Sequence, residues 1–348
     1  MPKGLYVEQP CHVTLRDYDD PPLRDDQYRI RVEFATIKHG TEFHVFSGQS
    51  PFQDRRFDGN LRLFVPGKEE AKAGEAHGHF AGNMVVGTVA EVGKAVQRFR
   101  PGERVYCHGP ACETVTRREG EGELLRPPMT ETDAVCLDPA LYAYAAIRDA
   151  RVCLGDKVVL FGLGAIGLMA VQMLRLNGCL RVIAVDPVEK RRRLAEALGA
   201  HLALDPTQCD VGLEVRQSLG CGADLAIEAS GHYRALRDAI RSVRNCARIV
   251  TLGYYRGKDS ELELGAEFFH NRLELIASMP VWDNPSREHP VWDYGRLWRA
   301  VVEFFQKRAL TSRGILDPIV DFADSPAAYL EAYRDPSYAV KLGISFRT

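Results

Sequence analysis

The stretch VVLFGLGAIGLMAVQ, residues 158–172, joins an apolar β-type run to a helical pattern through three glycines. Gly162, Gly164 and Gly167 have the spacing G-x-G-x-x-G. The first glycine permits a tight turn, the second lets the backbone approach a diphosphate, and the third lets the helix pack closely on the sheet. The stretch therefore predicts the strand, turn and helix that open a dinucleotide-binding βαβ unit.

The start of the predicted helix completes the phosphate site. Ala165 and Ile166 follow the second glycine, so their N–H groups and the partial positive charge of the helix N-terminus face the phosphates. A tight strand-to-helix turn without a ligand is the alternative. The next strand, RVIAVD, argues against that alternative because it ends in Asp186, about 20 residues further on.

Asp186 also bears on the choice of cofactor. Its carboxylate can accept hydrogen bonds from both ribose hydroxyls of an adenosine, whereas it would repel a 2′-phosphate. The basic run Lys190–Arg193 could neutralise such a phosphate, or could form a solvated helix face on which Arg191 flanks the adenine. We expect NAD, since the repulsive Asp186 remains in either case.

Tyr254 is a further candidate cofactor contact. It follows the fifth predicted strand in LGYYRG, at the carboxyl end of the sheet where ligands bind in open α/β folds. Packing at the domain seam is the alternative for this tyrosine and for Tyr255.

From residue 157 onward, apolar runs alternate with helical segments. The six runs are KVVLFG, RVIAVD, AHLALD, ADLAIEAS, ARIVTLG and LELIAS. This rhythm is typical of right-handed βαβ crossovers and predicts an α/β fold with a doubly wound, parallel, six-stranded Rossmann sheet.

The two ends of the chain have a different pattern. Residues 1–135 alternate as short strands separated by Gly and Pro, and the tail ending in AVKLGISF resembles them more than the middle. We expect the chain to return and complete its first domain. The predicted domains are 1–138 with 280–348, which is β-rich, and 139–279, which binds the dinucleotide.

Composition points to a small-molecule partner. The chain has 348 residues, 45% of them hydrophobic and 26% charged, with a formal charge of -2. It lacks the basic excess that nucleic acid or anionic lipid requires, and its apolar runs are too short for a membrane span. Its N-terminus lacks a signal-peptide pattern, so we expect a cytoplasmic protein. The odd count of nine scattered cysteines indicates reduced, mostly buried thiols.

Short motifs along the whole chain resemble the medium-chain dehydrogenase/reductase superfamily, the fold of zinc alcohol and polyol dehydrogenases. They are HGTEFH at 39–44, GNMVVGTV at 82–89, FRPGERV at 99–105 and Asp138-Pro139. The resemblance implies a GroES-like catalytic domain beside the Rossmann domain, and a homodimer or homotetramer.

The same motifs depart from the zinc members at the metal ligands. There the motifs read Cys-Gly-Thr-Asp-x-His and Gly-His-Glu, whereas this chain has His39 for the cysteine and Asn83 for the histidine. A neutral amide is a poor zinc ligand. We therefore expect a metal-free site. The alternative is a metal held by His39 and Asp138 with either His77 or His79.

The proton relay of the family is retained. The resemblance implies that Thr41 bonds the reacting oxygen and that His44 passes the proton to solvent. His39 would act as a hydrogen-bond donor or general base, oriented by Asp138. Two inert, satisfied histidines are the alternative.

These residues predict an NAD(H)-dependent oxidoreductase that interconverts a secondary alcohol and a ketone on a polyol, cyclitol or sugar-like molecule. One rival is a zinc-free, NADPH-dependent reductase of quinones or activated alkenes, against which Asp186 argues. The other is a non-catalytic NAD-binding protein, against which Thr41 and His44 argue.

Overall fold

The computed structural model describes residues 1–48, 55–66, 78–255, 262–280 and 292–347. The chain folds into two compact units: the first is Met1–Val135 with Leu316–Thr348, and the second is Cys136–Ile315. Across the described ranges, no helix combines the length and apolar character that a membrane crossing requires. His77 lies outside the described residues, so its predicted role stays a prediction.

The first unit is β-rich, as its alternating sequence predicts. Its strands are β1 (Lys3–Gln9), β2 (His12–Asp17), β3 (Gln27–Thr36), β4 (Arg55–Asp58), β5 (Leu63–Pro66), β6 (His79–Phe80), β7 (Met84–Val92), β8 (Arg104–His108), β9 (Thr114–Arg118), β10 (Gly122–Leu124), β17 (Leu316–Asp321) and β18 (Lys341–Ser345). Its helices are α1 (His39–Phe46), α2 (Glu131–Ala134) and α9 (Ser325–Arg334), with 3-10 turns at Glu119–Glu121 and Phe322–Asp324.

Strand β3 is the centre of the largest sheet of this unit. The sheet has the order β10-β8-β7-β3-β18-β17, and β9 also pairs with β3. The even-numbered residues of β3 from 28 to 34 are buried, because alternate side chains of a strand point to one face. The returning strand β18 pairs antiparallel with β3, with Gly343 opposite Thr36, so both ends of the chain build one sheet.

The second unit contains the predicted nucleotide-binding sheet. Its elements are α3 (Leu137–Asp149), β11 (Lys157–Phe161), α4 (Ala165–Leu176), β12 (Arg181–Val185), α5 (Glu189–Ala197), β13 (Leu202–Leu204), α6 (Val211–Leu219), β14 (Ala223–Glu228), α7 (Tyr233–Ser242), β15 (Val243–Thr251), β16 (Glu274–Ala277) and α8 (Tyr294–Gln306). A π-helical turn spans Leu264–Phe268.

The six strands of this sheet are parallel and have the order β13-β12-β11-β14-β15-β16. In this order β11 and β14 are neighbours, although two strands lie between them in sequence, and such a switch point is where ligands bind. Residues 158–161 of β11 are all buried, as expected for a strand covered on both faces. The predicted doubly wound sheet is confirmed.

The second domain boundary differs from the prediction. Residues 280–315 were expected in the first domain, but the structure includes them in the second unit and returns the chain at Leu316. Helix α8 explains the difference. Its Phe304, and Trp292 just before it, contact the ring of Tyr144 on α3 edge to face, each with 5.6 Å between ring centroids.

Two buried cysteines of the first unit behave as packing residues. Cys107 and Cys112 carry free thiols. Burial raises the pKa of each thiol to about 12. Because the thiolate is the form that binds metals or attacks disulfides, neither side chain is suited to metal binding or redox exchange.

Within the first unit, a network of four charged side chains attaches the C-terminal segment to the N-terminal part. Glu33 on β3 lies 3.0 Å from Arg104 and 3.1 Å from Arg347, and Glu131 lies 2.7 Å from Arg104. Burial acts to raise the pKa of Glu33, but hydrogen bonds from Thr88 and Arg347 and the two guanidinium charges outweigh it, so this pKa is lowered.

We predict that Glu33→Gln lowers the Tm near pH 7, with a loss of about 1–2 kcal/mol of unfolding free energy. A carboxylate with a lowered folded-state pKa stabilises above its unfolded pKa, and that contribution disappears as the pH falls through the folded pKa. The Tm difference between wild type and variant should therefore shrink towards pH 3. Circular dichroism melts at a series of pH values measure it.

The matched control is Glu123→Gln. Glu123 pairs with Arg98 at 3.3 Å, but about half of each side chain is exposed. Exposed ion pairs contribute little, so this variant should keep the wild-type Tm. Equal effects of the two substitutions would contradict a stabilising network.

Candidate functional site

The glycine turn after β11 is built as its spacing predicts. Gly162 has a φ of +86°, a conformation that side chains disfavour, and a Cβ there would lie 2.6 Å from the backbone nitrogen of Ser230. A Cβ on Gly167 would lie 1.9 Å from the carbonyl oxygen of Gly162. Both positions therefore require glycine for the fold of the turn.

Gly164 differs from the other two glycines. It is the N-cap of α4, with a φ of -70°, and a Cβ there would meet no atom within 4 Å. The fold therefore does not need glycine at this position. The open space lies at the N-terminus of a twelve-residue helix that begins with Ala165 and Ile166. This is the space that a dinucleotide phosphate needs, so these residues fit such a cofactor.

Asp186 lies at the carboxyl end of β12, next to the glycine turn. Its side chain is 4% exposed. One carboxylate oxygen accepts the N–H of Leu163 at 2.8 Å, and the other accepts the N–H of Val188 at 2.8 Å. Asp186 thus connects the glycine turn to the end of β12. Its oxygens keep further lone pairs that can accept hydrogen bonds from ribose hydroxyls.

The basic run after β12 is only partly a solvated face. Arg191 is 16% exposed at its side chain and lies 3.8 Å from the carboxylate of Asp186. Arg192 is similarly buried and pairs with Asp205 at 3.0 Å. Arg193 behaves as the solvated alternative describes, because it is exposed beside Glu189 on the same helix.

Glu228 was missed by the sequence reasoning. It ends β14, beside the switch point, and is fully buried. Its carboxyl accepts the N–H groups of Ser230 and Gly231, at 2.7 and 3.2 Å, and the hydroxyls of Ser230 and Tyr255. Burial raises the pKa of Glu228. The sequence did contain a signal for Glu228, because this acid ends the strand of the fourth apolar run just as Asp186 ends the second run.

The two tyrosines after β15 have different positions. Tyr255 donates its hydroxyl to Glu228, and burial raises its pKa. Tyr254, the predicted cofactor contact, has 36% of its surface exposed, and its backbone packs on Gly231. Contact of Tyr254 with the cofactor stays a prediction.

Helix α1 of the first unit carries the predicted acid-base residues. Thr41 is exposed. His44 is buried, and its Nδ1 bonds the carbonyl oxygen of Gly40 one turn earlier. A carbonyl oxygen can only accept, so Nδ1 carries the proton and Nε2 keeps a lone pair that can accept one. This arrangement suits the predicted proton relay.

His39 has the opposite arrangement. Its Nε2 lies 3.1 Å from the backbone nitrogen of Leu342 on β18, which donates to it. Its ring stacks on Phe43 with 4.9 Å between centroids. Each histidine thus bonds a backbone group through one ring nitrogen, which is Nε2 in His39 and Nδ1 in His44. The two side chains are therefore not equivalent.

Glu42 is a second acid that the sequence reasoning passed over. Its Oε1 accepts the N–H of Gly82 at 2.8 Å, while its Oε2 is shielded from solvent and has no hydrogen-bond partner among the described residues. Burial raises the pKa of Glu42 to about 7, against the Gly82 hydrogen bond and the charge of Lys341. The carboxyl is therefore partly protonated near neutral pH.

Asp138 is buried in the first turn of α3, in the second unit, whereas His39 is in the first unit. The predicted orientation of His39 by Asp138 stays a prediction.

Comparison with known proteins gives a family for this chain. A family model described as alcohol dehydrogenase GroES-like domain matches residues 24–153, and one described as zinc-binding dehydrogenase matches residues 165–280. The chain is 35% identical over 351 residues to D-guloside 3-dehydrogenase of Escherichia coli (strain K12), covering 99% of this chain and 100% of that protein. The chain belongs to the zinc-type medium-chain dehydrogenase/reductase superfamily.

Solved structures agree on the fold of this dehydrogenase. It matches 2R,3R-butanediol dehydrogenase from Bacillus subtilis with a TM-score of 0.78 at 20% identity, covering 100% of both chains. It matches galactitol-1-phosphate dehydrogenase from Escherichia coli with a TM-score of 0.77 at 17% identity, covering 99% of both. The predicted α/β fold with Rossmann and GroES-like domains is confirmed, and the protein is an oxidoreductase of the alcohol dehydrogenase type.

Among the described residues, those at the two ligand positions that differ from the zinc members are poor ligands for the zinc that the family name implies. The Nε2 lone pair of His39 accepts the N–H of Leu342, so it is not available to a metal. Asn83 offers a neutral amide and is 8% exposed. In the part of the chain that the structure describes, no three His, Cys, Asp or Glu side chains form a group that could hold a metal.

We predict that Gly164→Ala keeps the wild-type Tm but raises the Kd for NADH by about tenfold or more, because the added methyl occupies the space of the phosphate. Fluorescence titration of NADH measures the affinity. The control is Gly120→Ala, where a Cβ likewise meets no atom within 4 Å. That variant should bind NADH as wild type does. Unchanged affinity in Gly164→Ala would show that the open space does not bind the phosphate.

A second prediction concerns Glu42. Its folded-state pKa is raised to about 7, so its contribution to stability is fully present below the unfolded pKa and is lost as the pH rises through about 7. Glu42→Gln removes this dependence. The Tm of the variant minus that of wild type should therefore increase as the pH rises from about 5 to about 8.

Thermal melts at constant ionic strength, followed by circular dichroism, measure this difference. A constant Tm difference over the same pH range would mean that Glu42 is already ionised well below neutral pH in the folded protein, contrary to its enclosed position.

Proposed function

We propose that this dehydrogenase uses NAD(H) to interconvert a secondary hydroxyl and a ketone on a sugar-like substrate, without catalytic zinc. The observation that carries the substrate class is the full-length similarity, at 35% identity, to a protein named D-guloside 3-dehydrogenase. A guloside is a glycoside, and dehydrogenation at its third carbon converts a secondary ring alcohol into a ketone. The proposed substrate is therefore a glycoside or a related polyol or cyclitol.

Asp186 supports NAD over NADP. Its carboxylate is fixed at the end of β12 by the N–H groups of Leu163 and Val188. A 2′-phosphate beside it would meet a like charge, while ribose hydroxyls would donate to it. Arg191, 3.8 Å away, reduces that repulsion but already interacts with the carboxylate.

The residues of α1 support the proton transfer. The nicotinamide supplies the acceptor or donor for hydride, which leaves the chain to handle a proton and a partial charge. In the oxidation, the substrate loses a hydride from carbon and a proton from oxygen. The proposed path for the proton runs from the Thr41 hydroxyl to Nε2 of His44, whose Nδ1–H bond to Gly40 stabilises the imidazolium formed.

The test is an assay of purified, chelator-treated protein on glycosides, polyols and cyclitols with NAD and with NADP. We expect ketone formation with NAD from a glycoside or polyol, a kcat/KM at least about tenfold lower with NADP, and no change on chelation. Thr41→Val should lower kcat about a hundredfold or more without changing NADH affinity, and Thr41→Ser should keep activity because it retains the hydroxyl.

Three results would contradict the proposal. Zinc bound in stoichiometric amount, with activity lost on its removal, would exclude the metal-free mechanism. Preference for NADPH with a quinone or alkene would favour the reductase. NAD binding with no hydride transfer to any alcohol or ketone tested would favour a sensing role.

A further inference from the structure

Glu228 holds two segments of the second unit with one carboxyl group. It is the last residue of β14 and is fully buried. Its Oε1 accepts the N–H of Ser230 at 2.7 Å and bonds the Ser230 hydroxyl, and the backbone nitrogen of Gly231 lies 3.2 Å from both carboxyl oxygens. The second segment is reached through Tyr255, whose hydroxyl donates to Oε2. The carboxyl therefore joins the segment that follows β14 to the segment that follows β15.

The groups around this carboxyl replace the water that an exposed acid would have. Burial raises the pKa of Glu228, whereas the hydrogen bonds from Ser230 and Tyr255 act to lower it. The Ser230 hydroxyl also accepts the N–H of His232 at 3.1 Å, so its own proton can point at the acid. A buried acid needs such donors. Loss of the Tyr255 hydroxyl would therefore weaken the tie between the two segments.

The same two segments touch through their backbones. A Cβ on Gly253 would lie 2.1 Å from the backbone nitrogen of Gly231, and a Cβ on Gly231 would lie 2.6 Å from the carbonyl oxygen of Tyr254. The carbonyl oxygen of Glu228 accepts the N–H of Leu252 at 2.9 Å. Because no side chain separates the two segments, a shift of one displaces the other.

The segment after β14 also contacts the glycine turn. The N–H of Ala229 donates to the carbonyl oxygen of Phe161 at 2.8 Å, and a Cβ on Gly162 would lie 2.6 Å from the backbone nitrogen of Ser230. The backbone that Glu228 holds is therefore at the carboxyl ends of β11, β14 and β15, beside the switch point of the sheet.

The strand order assigns this region to one half of a dinucleotide. A Rossmann sheet consists of two mononucleotide-binding halves, and the dinucleotide crosses from one to the other at the switch point. Asp186, just after β12, marks the half that takes the adenosine. Strands β14 and β15 lie on the other side of β11. By this rule the nicotinamide half belongs at the ends of β14 and β15.

We propose that Glu228 and Tyr255 form a positioning pair that fixes the backbone after β14 and β15 for the nicotinamide half of the cofactor. The adenosine half depends instead on Gly164 and Asp186. This inference rests on the dinucleotide binding of the proposed function and adds to it the side chains that set one half of the site. The pair acts through the backbone, since the Glu228 carboxyl is buried beneath it.

Tyr255→Phe tests the pair. It removes one hydroxyl and keeps the ring, whose centroid lies 5.0 Å from that of Tyr233. We expect the Kd for NADH to rise about tenfold. The Kd for ADP, which contains only the adenosine and the diphosphate, should stay within about twofold of wild type. Fluorescence titration measures NADH binding, and isothermal titration calorimetry measures ADP binding.

Two controls give the other patterns of affinity. Gly164→Ala should weaken NADH and ADP alike, because its methyl occupies the space of the phosphate that both ligands share. Tyr18→Phe in the first unit removes a hydroxyl that donates to the carbonyl oxygen of Thr114 at 2.8 Å and accepts its N–H at 2.9 Å. That variant should lower the Tm and leave both Kd values unchanged, so a loss of stability alone does not reproduce the effect of Tyr255→Phe.

A second substitution tests whether Tyr255 acts through Glu228. Glu228→Gln keeps the size of the side chain but turns amide N–H donors towards groups that also donate. It should raise the Kd for NADH at least as much as Tyr255→Phe does. If one hydrogen bond carries both effects, combining the two substitutions adds no further rise. Additive rises would overturn the pair, and should Glu228→Gln fail to fold, Tyr255→Phe alone decides.

The remaining outcomes are distinct from one another. An equal rise of both Kd values in Tyr255→Phe would show that the pair supports the whole cofactor turn, which would overturn the assignment to the nicotinamide half. A lower Tm with unchanged Kd values would show that the pair is only structural. Both results would leave the proposed function intact. A wild-type protein that binds neither NADH nor ADP would instead overturn the proposed function.

Discussion

Strand β3 depends on a strand from the other end of the chain. It pairs with β7, β9 and β18, and β18 lies more than 300 residues away in sequence. Where β3 ends, an imidazole takes over as the acceptor for β18. The return of the C-terminal segment therefore extends the sheet of the first unit, and its Leu342 N–H fixes which ring nitrogen of His39 accepts a hydrogen bond.

The helix that follows β3 places unlike histidines five residues apart. In each, one ring nitrogen forms a hydrogen bond to the backbone. His39 accepts it from an N–H group, whereas His44 donates it to a carbonyl oxygen. Residue identity alone would give them the same role. The partner decides which nitrogen of each ring keeps a lone pair.

The second unit uses buried acids to hold its ligand-binding turns. Asp186 accepts backbone N–H groups at the end of the second strand of the sheet, and Glu228 does so at the end of the fourth. Both strands are neighbours of β11. A carboxyl at each side thus satisfies turn amides that would otherwise be buried without partners, and the glycine turn lies between them. Only Asp186 was predicted, because a familiar spacing marks it.

The sequence by itself determined the Rossmann sheet, the glycine turn and Asp186, because these depend on periodicity and spacing within short stretches of chain. It also predicted that His39 and Asn83 stand at zinc-ligand positions of the family. Only the tertiary structure decided that helix α8 belongs to the second unit, that Glu42 is a buried acid, and that the nitrogens of His39 and His44 face opposite kinds of partner. These properties depend on which backbone groups distant segments bring together, and neither a residue's type nor its neighbours in sequence encode them.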